Sequence, residues 1–254
     1  MAGHSKWANI KHRKAAQDAK RGKVFTKLIR ELTVAARQGG GEPADNPRLR
    51  AAVDKALASN MTKETIQRAI DRGAGTGDDV DMDEVVYEGY GPDGVAILVE
   101  TMTDNRNRTV SEVRHAFSKH GGNLGTSGSV AFMFHRQGRL TLPAEISEED
   151  AMEATLEAEP ENIEILEDGR IEVVTTVEGF GAVKDALNVA GIIPEASEVG
   201  LFPETYTLID DRELSQRLIA LVDHLDDLDD VQNVVTNADF SDAIVETMNS
   251  EAGA

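Results

Sequence analysis

Seven cations crowd the first 23 residues: Lys6, Lys11, Arg13, Lys14, Lys20, Arg21 and Lys23, with only Asp18 opposing them. Lysine and arginine at this density are suited to one chemistry, the neutralisation of phosphates with release of the counterions condensed on a nucleic acid. Trp7 and His12 lie among them and offer flat rings to unpaired bases. A Trp7 docked on the protein as an anchor accounts for that residue equally well. Lys27, Arg30 and Arg37 follow Lys23 at steps of four, three and seven, which lines them along one side of a helix as a positive ridge. A second patch is the polar turn at 104–109, where Arg106 and Arg108 precede a helix and suit a phosphate. Pairing of these arginines with the protein's own carboxylates is the competing outcome.

Other chemistries find little support. Without cysteine there is no disulfide, thiolate metal site or thiol nucleophile, which suits a reducing compartment such as the cytoplasm. The six histidines show neither an HExxH pairing nor metal-ligand spacing. Asp79, Asp81 and Asp83 imitate the start of a calcium loop, but Glu84 stands where its glycine belongs. Carboxylates are so numerous that nominating any two as acid and base carries no information. The glycines at 121–128 fit neither GxGxxG nor GxxxxGK and read as a flexible connection. No apolar run approaches the ~20 residues that span a bilayer, and no apolar core follows the basic start as in a secretory signal. The expectation is a non-enzymatic protein with no cofactor, no metal and no membrane partner.

The net charge of −20 would argue against a polyanion partner if it were evenly spread. It is segregated. Residues 1–75 hold 16 of the 26 Lys and Arg and 7 of the 46 Asp and Glu, a net of +9, and the remainder carries a net of −29. A basic binding module joined to a solvated acidic body has this signature.

The elements that must position these charges follow from periodicity. Residues 1–22 read as a basic arm that orders on a partner. Val24, Phe25, Leu28, Ile29, Leu32, Ala35 and Ala36 recur at helical spacing until the glycines at 39–41. Asn46 and Pro47 open a second helix carrying Leu49, Val53, Ala56 and Leu57. Thr62 caps a third, with Ile66, Ala69 and Ile70 inward and Gly73 at its end, so 23–75 is predicted to be a helical bundle. The glycine- and acid-rich stretch 73–84 marks a boundary. Beyond it, strands are expected at 95–102 and 129–134. Between them lies a helix opened by a Thr109–Glu112 capping box. A strand at 205–209, a helix carrying Leu214, Leu218, Leu221, Val222 and Leu225, and a strand at 231–236 complete this unit.

The interruption repeats the grammar. It has a strand at 139–142, an acidic helix capped by Ser147 with Met152, Thr155 and Leu156 inward, and a hairpin of 163–166 and 171–174 across Asp168 and Gly169. A helix with Phe180, Val183 and Leu187 and a strand near Ile192 and Ile193 follow. The predicted fold is α+β: an N-terminal three-helix domain, then two mixed ferredoxin-like domains. One, at 138–200, is inserted into the other, which spans 80–137 plus 201–240. Residues 241–254 read as a frayed acidic tail.

Three long motifs carry a resemblance: MAGHSKWANIKHRKAAQDAKRGKVFTKLIREL at the start, NPRLRAAVDKALASNMTKETIQRAI from residue 46, and YEGYGPDGVAILVETMTDNRNRTVSEVRHAFSKHGGNLG with SGSVAFMF from residue 87. They resemble the YebC/PmpR family, which includes a mitochondrial translational activator. The resemblance implies a three-domain α+β protein without enzymatic activity or cofactor. It further implies either a transcriptional regulator binding DNA or a translation factor acting on ribosomal RNA at the ribosome and easing elongation through proline runs. The family's basic motif falls on Lys6, Trp7, Lys11, His12, Arg13 and Lys14, and its TDNRNRT segment on residues 103–109. A docking partner for the acidic unit at 138–200 is the remaining expectation.

Overall fold

The apolar stripe that begins at Val24 belongs to helix α1 (Arg21–Gly39) of a computed structural model that describes residues 21–76, 82–166 and 168–246. Helices α2 (Pro47–Ala58) and α3 (Lys63–Asp71) pack against it. Leu28, Leu32, Ala35 and Ala36 of α1 meet Leu49, Ala52 and Ala56 of α2, and Ile66, Ala69 and Ile70 of α3, in one buried cluster. Asn46 is buried between two helix ends. Its side chain accepts from Leu49 N at 3.0 Å and donates to Ala35 O at 2.8 Å and Gly40 O at 2.9 Å. One amide thus satisfies orphan backbone groups at the end of α1 and the start of α2. Gly73 does not end the third helix. The chain winds on through Arg72–Thr76, and Gly73 is there because a Cβ would lie 2.1 Å from the Thr33 carbonyl oxygen.

Strands β1 (Asp83–Tyr90) and β2 (Ala96–Thr103) form an antiparallel hairpin. Helix α4 (Arg106–Lys119) follows, then the short strand β3 (Asn123–Leu124). The strand expected at 129–134 is a single 3-10 turn, Ala131–Met133. Val130 and Phe134 there bury at a helical spacing against Ala96 and Leu98, so the apolar run serves packing rather than strand pairing. Strand β4 then runs through Phe134–Leu142. The boundary expected at 137/138 therefore falls inside it. Gly138 within it lets the Phe180 ring and Thr175 approach, since a Cβ would lie 2.5 Å from each.

Helix α5 (Glu148–Thr155), strands β5 (Asn162–Ile165) and β6 (Ile171–Thr175), helix α6 (Phe180–Val189) and strand β7 (Ala196–Pro203) complete the insert. Its sheet has the order β5-β6-β4-β7, antiparallel throughout, the split β-α-β pattern of ferredoxin-like folds. On α5 the small residues Ala151 and Thr155 face the core while Met152 and Leu156 are exposed, the reverse of the expectation for the two larger ones. The strand expected near Ile192 starts at Ala196 instead; Ile192 plugs the core and Ile193 is exposed.

Strand β8 (Thr207–Ile209), helix α7 (Arg212–Asp226), and strands β9 (Val231–Thr236) and β10 (Ala238–Phe240) return to the outer unit. The outer sheet has the order β3-β1-β2-β9. Central β2 is buried on both faces. Ile97 and Val99 pack on Val113, Phe117, Leu218 and Leu221 of α4 and α7, while Ala96 and Leu98 meet Phe134 and Leu201. That explains its unbroken apolar run. Strand β10 pairs in parallel with β8. Phe240 and Ile244 are buried in the same core, which carries order past 240 as far as residue 246. The rest of the predicted tail, 247–254, lies outside the described residues.

Candidate nucleic-acid interface

Of the predicted contact residues, Lys6, Trp7, Lys11, His12, Arg13, Lys14 and Lys20 lie outside the described residues, and of Arg21 only its place at the head of α1 is described. The rest of the ridge has partners. Lys23 Nζ meets Asp227 Oδ1 at 3.1 Å and its carbonyl oxygen at 2.9 Å, and Lys27 Nζ meets Asp226 Oδ1 at 2.9 Å. Arg30 donates to the Asp229 carbonyl oxygen and sits 3.3 Å from Asp230 Oδ1. The expected outward ridge is therefore folded onto the acidic turn between α7 and β9. Helical spacing specifies which side of α1 the cations share; it is silent on which carboxylates, some 200 residues on, will face them.

The second patch converges on the same turn. Helix α4 starts one turn earlier than a Thr109 cap predicts, because Asn105 caps it by accepting from Arg108 N at 3.1 Å. Arg106 and Arg108 thus occupy its first turn. Arg106 pairs with Asp83 at 2.6 Å, and Arg108 bridges Asp104 at 2.8 Å and Asp230 at 2.7 Å. The hydroxyls of Thr109 and Thr103 donate to Asp230 at 2.7 and 3.1 Å. Asp230 is only 2 % exposed at its side chain. Burial pushes its carboxyl upward, but the bonds from Arg108, Thr109 and Thr103 outweigh this and hold it below the ordinary aspartate range. Arg30 from the bundle and Arg108 from α4 share this one carboxylate. A further link joins the units, since Arg48 of α2 holds both Glu31 at 2.7 Å and Glu84 of β1 at 3.0 Å. The docking is polar: the bundle's apolar cluster and that of the outer sheet have no residue in common.

The loop at 121–133 is not a flexible connection. Glu88, 6 % exposed, accepts from Gly128 N at 2.6 Å and from Val130 N and Ala131 N at 2.8 Å each. Its own carbonyl accepts from Gly125 N at 2.8 Å. The Tyr90 hydroxyl donates to Ser129 O, also at 2.8 Å. Burial raises the Glu88 carboxyl, and the backbone bonds more than reverse it, leaving it below the ordinary glutamate range. Gly122 approaches so closely that a Cβ would sit 2.6 Å from Tyr90 O. The glycine spacing thus signals close approach, the reading a pattern search for phosphate loops leaves out.

Elsewhere, His120 Nε2 and His224 Nδ1 lie 3.1 Å apart between α4 and α7, both held below the usual histidine range, by burial first and then by neighbouring positive or histidine side chains. Among the described residues no group of three potential ligands is arranged to hold a metal, and no helix is long and apolar enough to cross a membrane. The acids Glu148, Glu149 and Asp150 fill the first turn of α5, where the helix dipole favours them.

A helical unit clamped by ion pairs to a discontinuous α+β body, with its surplus of cations at the N-terminal end, defines a modular, multi-unit protein. The chain belongs to the TACO1/YebC family: the model of the family's N-terminal domain matches residues 5–76 and that of its second and third domains residues 82–238. It is 75 % identical over 245 residues to a probable transcriptional regulatory protein of Chromohalobacter salexigens, covering 96 % of this chain and 98 % of the relative. It is 60 % identical over 245 residues to the transcriptional regulatory protein PmpR of Pseudomonas aeruginosa, with the same coverage. A crystal structure of a conserved hypothetical protein from Aquifex aeolicus superposes with a TM-score of 0.74 at 45 % identity, covering 89 % of this chain and 93 % of that one.

Proposed function

We propose that this protein is a non-enzymatic regulator of gene expression that binds nucleic acid through its basic N-terminal segment. The observation that carries this reading is the distribution of charge. Net +9 over residues 1–75 stands against net −29 beyond, and the ridge cations Lys23, Lys27 and Arg30 already face carboxylates or carbonyls of the acidic turn. The densest run of cations within 1–75 is at 6–21, and the phosphate contact is assigned to it. The naming of the relatives as transcriptional regulatory proteins supports a regulatory role.

The experiment is a titration of the full chain, and of a variant lacking residues 2–20, with single-stranded RNA and duplex DNA of equal length at several salt concentrations. The full chain is expected to bind with an affinity that falls steeply with salt, and the deletion, which removes five cations, to lose orders of magnitude at low salt. Equal binding by the two proteins would remove the proposal.

A second reading, a translation factor on ribosomal RNA at the ribosome, is favoured by one observation. A cationic helix face held against an acidic turn is poorly placed to enter a duplex groove, whereas an arm with Trp7 and His12 suits splayed bases in structured RNA. Crosslinking in cells through residues 6–21 separates the two. Ribosomal RNA favours translation; promoter DNA alone favours transcription.

A further inference from the structure

Phe132 is 70 % exposed, between Val130 at 0 % and Phe134 at 6 %. The chain that leads to it is tied down: Glu88 holds the backbone N–H groups of residues 128, 130 and 131 and Tyr90 holds Ser129 O. The backbone that carries the ring is therefore held in place, with little backbone ordering entropy left to lose on contact. Residues 121–134 contain no Asp, Glu, Lys, Arg or His, in a chain whose net charge is −20. None of the loop's own residues carries a carboxylate; the exposed Glu204 joins it at Met133 O through its backbone N–H. Phe132 is the one large apolar side chain of 121–134 that is exposed, and Tyr90, 36 % exposed, reaches the same loop through its hydroxyl. The loop residues Thr126, Ser127 and Gly128 are small and also exposed.

We propose that Phe132, presented by the Glu88-pinned loop, is a stacking platform for an unpaired nucleobase, a second contact distinct from the basic arm. Phosphates held by the arm supply sequence-independent attraction; a flat ring on a rigid loop registers whether a base is splayed out to meet it. This rests on the nucleic-acid reading above and adds a subsite to it.

The test uses the full chain and single-stranded RNA carrying 2-aminopurine, whose fluorescence is quenched by stacking. Phe132→Ala is expected to weaken binding about tenfold and to relieve the quench. The log-log salt slope should be unchanged, since no phosphate contact is removed. Phe132→Leu keeps the apolar bulk without the π face and should also relieve the quench, while Phe132→Trp preserves it. Trp7→Leu controls for stacking in the arm. If Phe132→Ala binds and quenches like the unaltered chain while the 2–20 deletion loses binding, the platform is refuted and the arm stands. The platform is refuted as well if the quench disappears with Trp7 rather than Phe132. If the unaltered chain binds neither RNA nor DNA, the arm reading falls and the platform with it.

Discussion

Two buried carboxylates, Asp230 and Glu88, make opposite use of the same chemistry. Asp230 is gripped by guanidiniums from two units and by two hydroxyls, so its bonds join pieces of chain far apart in sequence. Glu88 is gripped by three backbone N–H groups of a single loop, so its bonds give that loop one shape. The first depends on side-chain charges and the second on backbone dipoles. Docking of the bundle also uses exposed pairs such as Lys23 with Asp227, so it should respond to salt and to charge reversal, whereas the shape of the loop should not.

The largest effect is expected at the shared carboxylate. Asp230→Ala takes the carboxylate from the part-buried Arg30 and from the buried hydroxyls of Thr103 and Thr109, while Arg108 keeps Asp104; breaking a buried pair in this way costs about 3–5 kcal/mol. Chemical denaturation should show this loss, and limited proteolysis should release the bundle from the rest of the chain more readily if the bundle loosens. A cut pattern like that of the unaltered chain would mean that the ion pairs do not hold the units together. At Glu88 the effect is smaller. Glu88→Gln keeps one acceptor oxygen, turns the other into an amide that faces N–H groups, and should cost about 1–3 kcal/mol.

The two carboxylates also share a pH signature. Both are held below their ordinary range in the fold, so the stability they contribute is fully present above about pH 4–4.5. It is lost as pH falls through their lower folded values. Each amide or alanine variant should flatten the acid limb of the stability curve. The smallest effect belongs to the exposed pair of Lys23 and Asp227, 45 % and 53 % exposed at their side chains. Such pairs contribute about 0.2–1 kcal/mol and are screened by salt. Lys23→Ala should be detectable at low ionic strength and vanish near 1 M. A salt-independent Lys23→Ala, or a salt-sensitive Glu88→Gln, would erase the contrast between the two regions.

The sequence exposes the chain's periodic features well and its partnerships poorly. Apolar stripes such as Leu28, Leu32 and Ala35 locate α1, and Asn46 with Pro47 locates the start of α2, because local spacing and capping are sufficient physics there. Strand β1 escapes, since Tyr87, Glu88, Gly89 and Tyr90 lack clean alternation. Its polar Glu88 is inward because a loop forty residues away supplies the N–H groups. Thr109 reads as a cap and is instead a buried donor to Asp230, a role set by the turn that precedes β9. At the candidate interface, residue type announces the cations of α1 and α4, but Asp226, Asp227 and Asp230 read only as part of an acidic helix end. Long-range pairing decides whether a lysine faces solvent or a carboxylate, and a single sequence carries no direct trace of it.

Phe134 and Pro203 lie directly opposite each other on β4 and β7. The chain therefore enters and leaves the inserted unit through one doorway, with its jambs about one inter-strand spacing apart. Everything beyond that threshold is a cassette. Its ends already meet, so a tight hairpin could seal the opening, and the surrounding sheet would keep its own strand pairs on either side.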